Sequence, residues 1–192
     1  HMKISISRDE ILNPLQMVNS VIERRQTLPI LSNVLMTIKD STLSLTGTDL
    51  EVEVINSCQT NNAEEGETTL PARKLLDICK ALPEGSNLDI QIDGERAILI
   101  SGIILFTLST LSAAEFTSID ALISPFEFSV SQKTFKKLID QTQFCMAQQD
   151  VRYYLNGLML ELSNNQIIAV ATDGHRLAFC QAEVQLNPGE TR

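Results

Sequence analysis

Hydrophobic and polar positions change period along this chain in an order that repeats. Residues 3–7 alternate as a short strand, and residues 8–25 follow with a helical period through Ile11, Leu12, Leu15, Val18 and Ile22. Asn13-Pro14 interrupts that period early, and proline is best tolerated in a helix's first turn. Residues 26–29 form a connector that ends the helix. Three strand-like runs come next, residues 31–38, 43–47 and 50–55, parted by Lys39-Asp40-Ser41 and by Thr48-Asp49. After a polar link over residues 58–66 the order restarts. Residues 67–70 read as a strand, and residues 72–82 as an amphipathic helix stopped by Pro83-Glu84-Gly85. Residues 88–92, 97–101 and 104–109 read as three more strands, with Asp93-Gly94 as a hairpin signal.

A weakly patterned loop, residues 111–124, precedes a third start. Residues 126–130 alternate as a strand, and Ser131 caps a helix reaching about residue 147, with Phe135, Leu138, Ile139 and Phe144 on its apolar side. Residues 154–161, 166–171 and 175–182 supply three strands. The strings SISRDEILNPL and SVSQKTFKKLI share strand, polar break and helix in one register, and Thr48-Asp49 and Thr172-Asp173 are equivalent points between strands. Residues 187–191 match the loop that precedes the second unit. The sequence therefore predicts an α+β fold of three β-α-β-β-β units. They pair as a complete two-unit domain, residues 1–124, and half of a second, residues 125–192. A missing fourth unit leaves strand edges or a helix face unpaired, so the chain reads as a fragment of a longer protein, with His1-Met2 a cloning remnant.

Composition adds limits. The 192 residues are 43% apolar, enough for a globular core, and hold neither a membrane-length apolar run nor a signal-peptide pattern, which predicts a cytoplasmic protein. The four cysteines form no CxxC pair and have no histidine at ligand spacing, so they read as free buried thiols, and neither metal nor cofactor is expected. A net charge of −9 argues at first against nucleic acid. The bases nevertheless gather on two predicted helices, as Arg73, Lys74 and Lys80 and as Lys133, Lys136 and Lys137, while acids such as Asp49, Glu51 and Glu53 lie in strand edges and loops. By themselves these cations read as the solvated face of amphipathic helices. Tyr153 and Tyr154 read by themselves as packing residues. His175 beside Asp173 suggests acid/base chemistry, but no nucleophile, phosphate cradle or HExxH accompanies them, so no enzyme is predicted.

Five strings then carry a resemblance: TLPILSN at Thr27, LSLTGTDLE at Leu43, PARKLLDICKALPEG at Pro71, QDVRYYLNG at Gln149 and ATDGHRLA at Ala171. With them, essentially the whole chain resembles the bacterial DNA polymerase III β subunit family, the sliding clamps. The resemblance implies a DNA-clamp fold with helices lining an inner face and antiparallel sheets outside, and a head-to-tail homodimeric ring around double-stranded DNA. It implies DNA contact by Arg25, Arg73, Lys74, Lys80, Lys133, Lys136, Lys137, Gln149, Arg152, Tyr153 and Tyr154. Gln26, where the family pattern has proline, is one departure beside Arg25. The resemblance also implies a pocket formed by Arg152, Leu155, Thr172, Gly174, His175, Arg176 and Leu177. That pocket takes short linear peptides from the DNA polymerase III alpha subunit and the clamp loader. The competing expectation is an adaptor that docks peptides and never encircles DNA.

Overall fold

A computed structural model describes residues 1–25, 27–119, 123–124 and 126–185. Two compact units divide the chain, His1–Ala121 and Leu122–Arg192.

In the first unit, strand β1 (Met2–Ser7) leads into helix α1 (Arg8–Asn19), whose N-cap Ser7 accepts a hydrogen bond from the Asp9 N–H through its hydroxyl. The helix stops at Asn19 rather than at the expected residue 25. The Ser20 hydroxyl donates to the Met17 carbonyl, a local bond that competes with helix continuation, and residues 20–25 turn away. Pro14 sits buried inside α1, not in its first turn. There it lacks the N–H that the Glu10 carbonyl would accept.

A short 3-10 helix (Pro29–Ser32) takes the start of the expected second strand, so β2 spans Asn33–Lys39. Then follow β3 (Thr42–Thr48), β4 (Glu53–Gln59), the two-residue β5 (Ala63–Glu64), β6 (Gly66–Pro71) and helix α2 (Ala72–Ala81). Strands β7 (Asn87–Asp93), β8 (Arg96–Ser101) and β9 (Ile104–Ser109) complete the unit. The expected strand over 50–55 starts at Glu53 instead, because Leu50 to Val52 are held in a loop around Asp49.

The two repeats exchange their first strands. One sheet has the order β5-β1-β7-β8-β9 and the other β4-β3-β2-β6. Strand β1 of the first repeat thus pairs antiparallel with β7 of the second, Ile4 opposite Ile90, while β6 of the second pairs with β2 of the first, Val34 opposite Leu70. A single core results, in which Ile4, Ile11, Leu15, Met36, Leu43, Leu70, Leu75, Leu88 and Leu99 are fully buried. Each such side chain contributes about 1.5–3 kcal/mol of transfer free energy. Gly47 marks the tightest seam: a Cβ there would stand 2.7 Å from the Val18 carbonyl oxygen on α1.

In the second unit, helix α3 (Gln132–Asp140) is capped by Ser131, whose hydroxyl accepts from the Thr134 N–H at 3.1 Å. It ends well before the expected residue 147. The Thr142 hydroxyl donates to the Leu138 carbonyl at 2.7 Å, and a 3-10 turn (Gln143–Cys145) follows. Residues 126–130, expected as a strand, pair with nothing among the described residues. Residues 154–156 belong to a 3-10 helix (Tyr153–Asn156) rather than to a strand. Strands β10 (Met159–Ser163), β11 (Gln166–Thr172) and β12 (Leu177–Glu183) form one antiparallel sheet in that order. Strand β12 starts two residues later than the expected His175. Leu138, Ile167, Ala169 and Val184 make its core. The expected match at residues 187–191 lies outside the described residues.

Cys79 and Cys145 are buried free thiols, as read from the sequence, but Cys58 and Cys180 are only half-buried. Burial pushes the Cys79 thiol up to about 11, against the opposing pull of Arg8. Among the described residues no helix is long and apolar enough to cross a membrane.

Candidate functional site

The candidate cations of the first unit lie on α2 and on the bend after α1, while Lys3, Lys39 and Arg96 are exposed on its strands. Arg73, Lys74 and Lys80 are exposed, whereas Leu75, Leu76, Ile78 and Cys79 turn inward. Arg73 and Lys74 occupy the first helical turn, where the backbone dipole is positive and disfavours cations, and no acid accompanies them there. Helix α1 does the opposite, with Asp9 and Glu10 in its first turn. Arg25 is exposed in the bend beyond α1. Its neighbour Arg24, which the sequence reading passes over, shares with Arg73 a groove of about 300 Å³ also lined by Asn19, Ile22 and Asp77. The Asn19 amide donates to the Ala72 carbonyl at 3.3 Å and so holds the end of α1 against the start of α2.

In the second unit α3 repeats the pattern, with exposed Lys133 in a first turn that holds no acid. Lys136 is engaged with Asp140 one turn on, while Lys133 and Lys137 form no ion pair among the described residues. Lys133 and Lys137, four residues apart, share a helix face.

The loop from Gln149 onward is shaped by two side chains. Gln149 adopts a left-handed conformation, φ 55°. The Asn156 carboxamide clasps Asp150, accepting from its N–H at 2.9 Å and donating to its carbonyl at 3.0 Å. The Asp150 carboxylate accepts from the Arg152 backbone N–H and, in a two-point contact at 3.1 Å, from its guanidinium. The Arg152 side-chain bonds hold the Asp150 carboxyl below the usual carboxylate range, and Asp150 in turn raises Arg152. The loop so fixed presents Tyr153 and Tyr154 at 82% and 66% exposure, edge to face with centroids 5.9 Å apart. Neither tyrosine packs into a core, contrary to what their type alone suggests.

The Arg152 guanidinium lies over the loop between β11 and β12: a Cβ on Gly174 would stand 3.5 Å from both of its terminal nitrogens. Gly174 itself has φ 90°. The Thr172 hydroxyl donates to the Arg176 carbonyl at 2.6 Å and accepts from the Gly174 N–H at 3.1 Å. Asp173 Oδ1 accepts from the His175 and Arg176 N–H groups at 2.9 and 3.0 Å, and these bonds lower its pKa. Its other oxygen takes the Arg176 Nε at 3.2 Å. Arg176 also donates to the Phe144 carbonyl and stacks on that ring at 5.7 Å. The carboxylate is thereby engaged by the loop, while the His175 ring is exposed and makes no hydrogen bond among the described residues. No histidine–aspartate dyad forms.

Phe144 touches this loop through Arg176, exposed Leu177 and Phe179 follow it on β12, and Leu155 of the 149–156 segment is buried. The structure thus brings together Arg152 with Gly174, and Arg176 with Phe144, and leaves His175 and Leu177 open to solvent. Phe144, Asp150 and Asn156 are the residues the sequence reading missed here. A signal for the last two exists in the aspartate and asparagine that bracket Val151 to Leu155.

Two repeats that exchange their first strands into two antiparallel sheets packed with helices α1 and α2 define a protein of the DNA-clamp fold class. Residues 2–120 match the DNA polymerase III beta subunit, N-terminal domain, and residues 129–191 match that subunit's central domain. The chain belongs to the DNA polymerase III beta subunit family. It is 49% identical over 192 residues to the beta sliding clamp of Pseudomonas aeruginosa, spanning all of this chain and 52% of that one. It is 50% identical over 184 residues to the beta sliding clamp of Escherichia coli strain K12, spanning 95% of this chain and 50% of the other. The crystal structure of the P. aeruginosa sliding clamp bound to griselimycin superposes with a TM-score of 0.93, covering 96% of this chain and 50% of that one at 49% identity. The Caulobacter crescentus polymerase III beta structure gives 0.90 at 35% identity, over 98% and 52% of the two chains. The chain spans about half the length of these relatives.

Proposed function

We propose that this chain contributes the leading part of a cytoplasmic sliding clamp, a non-catalytic processivity factor that encircles duplex DNA and tethers the replicative polymerase. Residues 1–124 form its first domain and residues 125–192 the first half of its second. The helices line the hole, and the whole clamp closes as a head-to-tail homodimer. The observation that carries this reading is the placement of exposed cations in the first turns of α2 and α3. A helix end that repels cations keeps them when an external anion compensates, and duplex phosphates do so without reading sequence. On this reading Arg25 and Lys80 of the first unit, and Gln149, Arg152, Tyr153 and Tyr154 of the second, also contact DNA. The pocket is built from the loop between β11 and β12. Gly174, Arg152 and Thr172 shape one wall, Leu155 supports it, and Leu177, His175 and Arg176 meet apolar and polar parts of a short peptide from the polymerase alpha subunit or the clamp loader.

The test is a chimera in which this chain replaces the matching half of the P. aeruginosa clamp. Loaded on circular DNA, it should be retained, and cutting the circle should release it by sliding off the ends. Equal retention on circular and linear DNA would defeat the topological reading.

A further inference from the structure

Three chain segments around the loop between β11 and β12 are joined in a closed ring of contacts. The loop reaches the 3-10 turn Gln143–Cys145 through Arg176, which donates to the Phe144 carbonyl at 2.6 Å and stacks on its ring at 5.7 Å. The Ala147 N–H, just past that turn, donates to the Leu155 carbonyl at 2.9 Å and so reaches the 149–156 segment. That segment closes the ring, because Arg152 lies over Gly174. Each arginine is also held by an aspartate of its own loop, Arg152 by Asp150 and Arg176 by Asp173.

The turn is the fixed member of this ring. Cys145 is buried with Ala171 of β11 and Ala178 of β12, and Met146 and Leu158 pack on them. The Cys145 N–H donates to the Thr142 carbonyl and the Met146 N–H to the Gln143 carbonyl, both at 3.0 Å, so the backbone on either side of Phe144 is tied to the end of α3. Phe144 itself is 58% exposed and adds little to that packing, yet its ring carries the Arg176 guanidinium.

We infer that Phe144 is a positioning residue of the peptide pocket. Through Arg176 it fixes the loop that presents His175 and Leu177, and through the turn it sets that loop against the wall of Arg152 and Leu155. The inference rests on the pocket reading proposed above. Arg176 commits Nε to Asp173 and a terminal nitrogen to the Phe144 carbonyl, so a peptide senses the Phe144 ring through Arg176. Losing a guanidinium–ring contact at an exposed site changes an equilibrium about two- to fivefold.

The test is calorimetry of the chimera with a polymerase-tail peptide. Phe144→Ala and Phe144→Leu are expected to weaken binding about two- to fivefold, and Phe144→Tyr, which keeps an aromatic face, to restore it. In an Arg176→Ala background Phe144→Ala should add nothing, because the two act as one unit. Hydrogen exchange of the 192-residue chain gives a readout without peptide. Phe144→Ala should speed exchange several-fold at His175 and Arg176, whose N–H groups bond to Asp173, and leave Ala169 within β11 unchanged. Additive losses in the double variant overturn the inference, as do a tyrosine variant as weak as the alanine one and unchanged exchange at His175 and Arg176. Unaltered affinity of Phe144→Ala in a chimera that binds peptide overturns this inference alone. An unsubstituted chimera that binds no peptide overturns the pocket reading and this role with it.

Discussion

Leu50 and Gly174 occupy the same point of the same loop, and only one of them suits it. The hydrogen bonds are matched: Thr48 donates to the Val52 carbonyl at 2.8 Å and accepts from the Leu50 N–H at 3.0 Å, while Asp49 accepts from the Glu51 and Val52 N–H groups at 2.9 and 2.7 Å. These are the bonds of Thr172 and Asp173 again. Leu50 therefore holds φ 78°, a left-handed conformation that costs a side-chain-bearing residue about 1–2 kcal/mol. Leu50→Gly is expected to raise unfolding free energy by about 0.5–1 kcal/mol in denaturant titration, because a half-exposed leucine forfeits little burial. Asp173→Ala should open the later loop and weaken binding of a polymerase-tail peptide at least tenfold by calorimetry, with the core unaffected. The pH dependence has a definite sign. Asp173 has a lowered folded pKa, caused first by the His175 and Arg176 N–H groups, so its contribution is complete above about pH 4, the ordinary carboxyl value. It is lost as pH falls through the lower folded value, and peptide affinity should not change through Asp173 near neutrality.

At the scale of elements, the helices separate into two kinds. Helix α1 carries Asp9 and Glu10 in its first turn, whereas α2 and α3 lead with Arg73, Lys74 and Lys133 and no acid, so substitution of those leading cations should cost DNA binding and not stability. In the chimera, Arg73→Ala with Lys74→Ala, or Lys133→Ala alone, is expected to lower the slope of log affinity against log salt by about one for each phosphate no longer neutralised. The melting temperature should hold or rise, since an unfavourable helix-end charge is removed. A fall in stability with an unchanged salt slope would return these residues to the role of a solvated helix face. Element ends were the least legible feature of the sequence. The period that continues through Ile22 says nothing of the Ser20 hydroxyl bonding back to Met17, and alternation over 126–130 cannot reveal that no strand is alongside.

At the scale of the molecule, exchange of β1 and β6 makes the first two repeats one cooperative body. Its core draws on both sheets and both helices, whereas the described residues of the second unit bury two small clusters, Leu138, Ile167, Ala169 and Val184, and Cys145, Ala171 and Ala178. Calorimetry should show two transitions, the second unit melting first. Gly47→Ala should lower only the later one, by about 1–3 kcal/mol, because the added Cβ meets the Val18 carbonyl.

The sequence by itself determined the repeat, the helix faces, the Thr-Asp loops and the basic character of α2 and α3. Each of these is a local pattern of a few residues, set by backbone period, hydrogen-bonding side chains and charge. Only the tertiary structure decided which sheet each leading strand joins, that Arg176 reaches the Phe144 carbonyl, and that Arg152 reaches across to Gly174. Those outcomes depend on groups far apart in the chain, and a strand's alternation fixes which side chains face inward but not whose edge it completes.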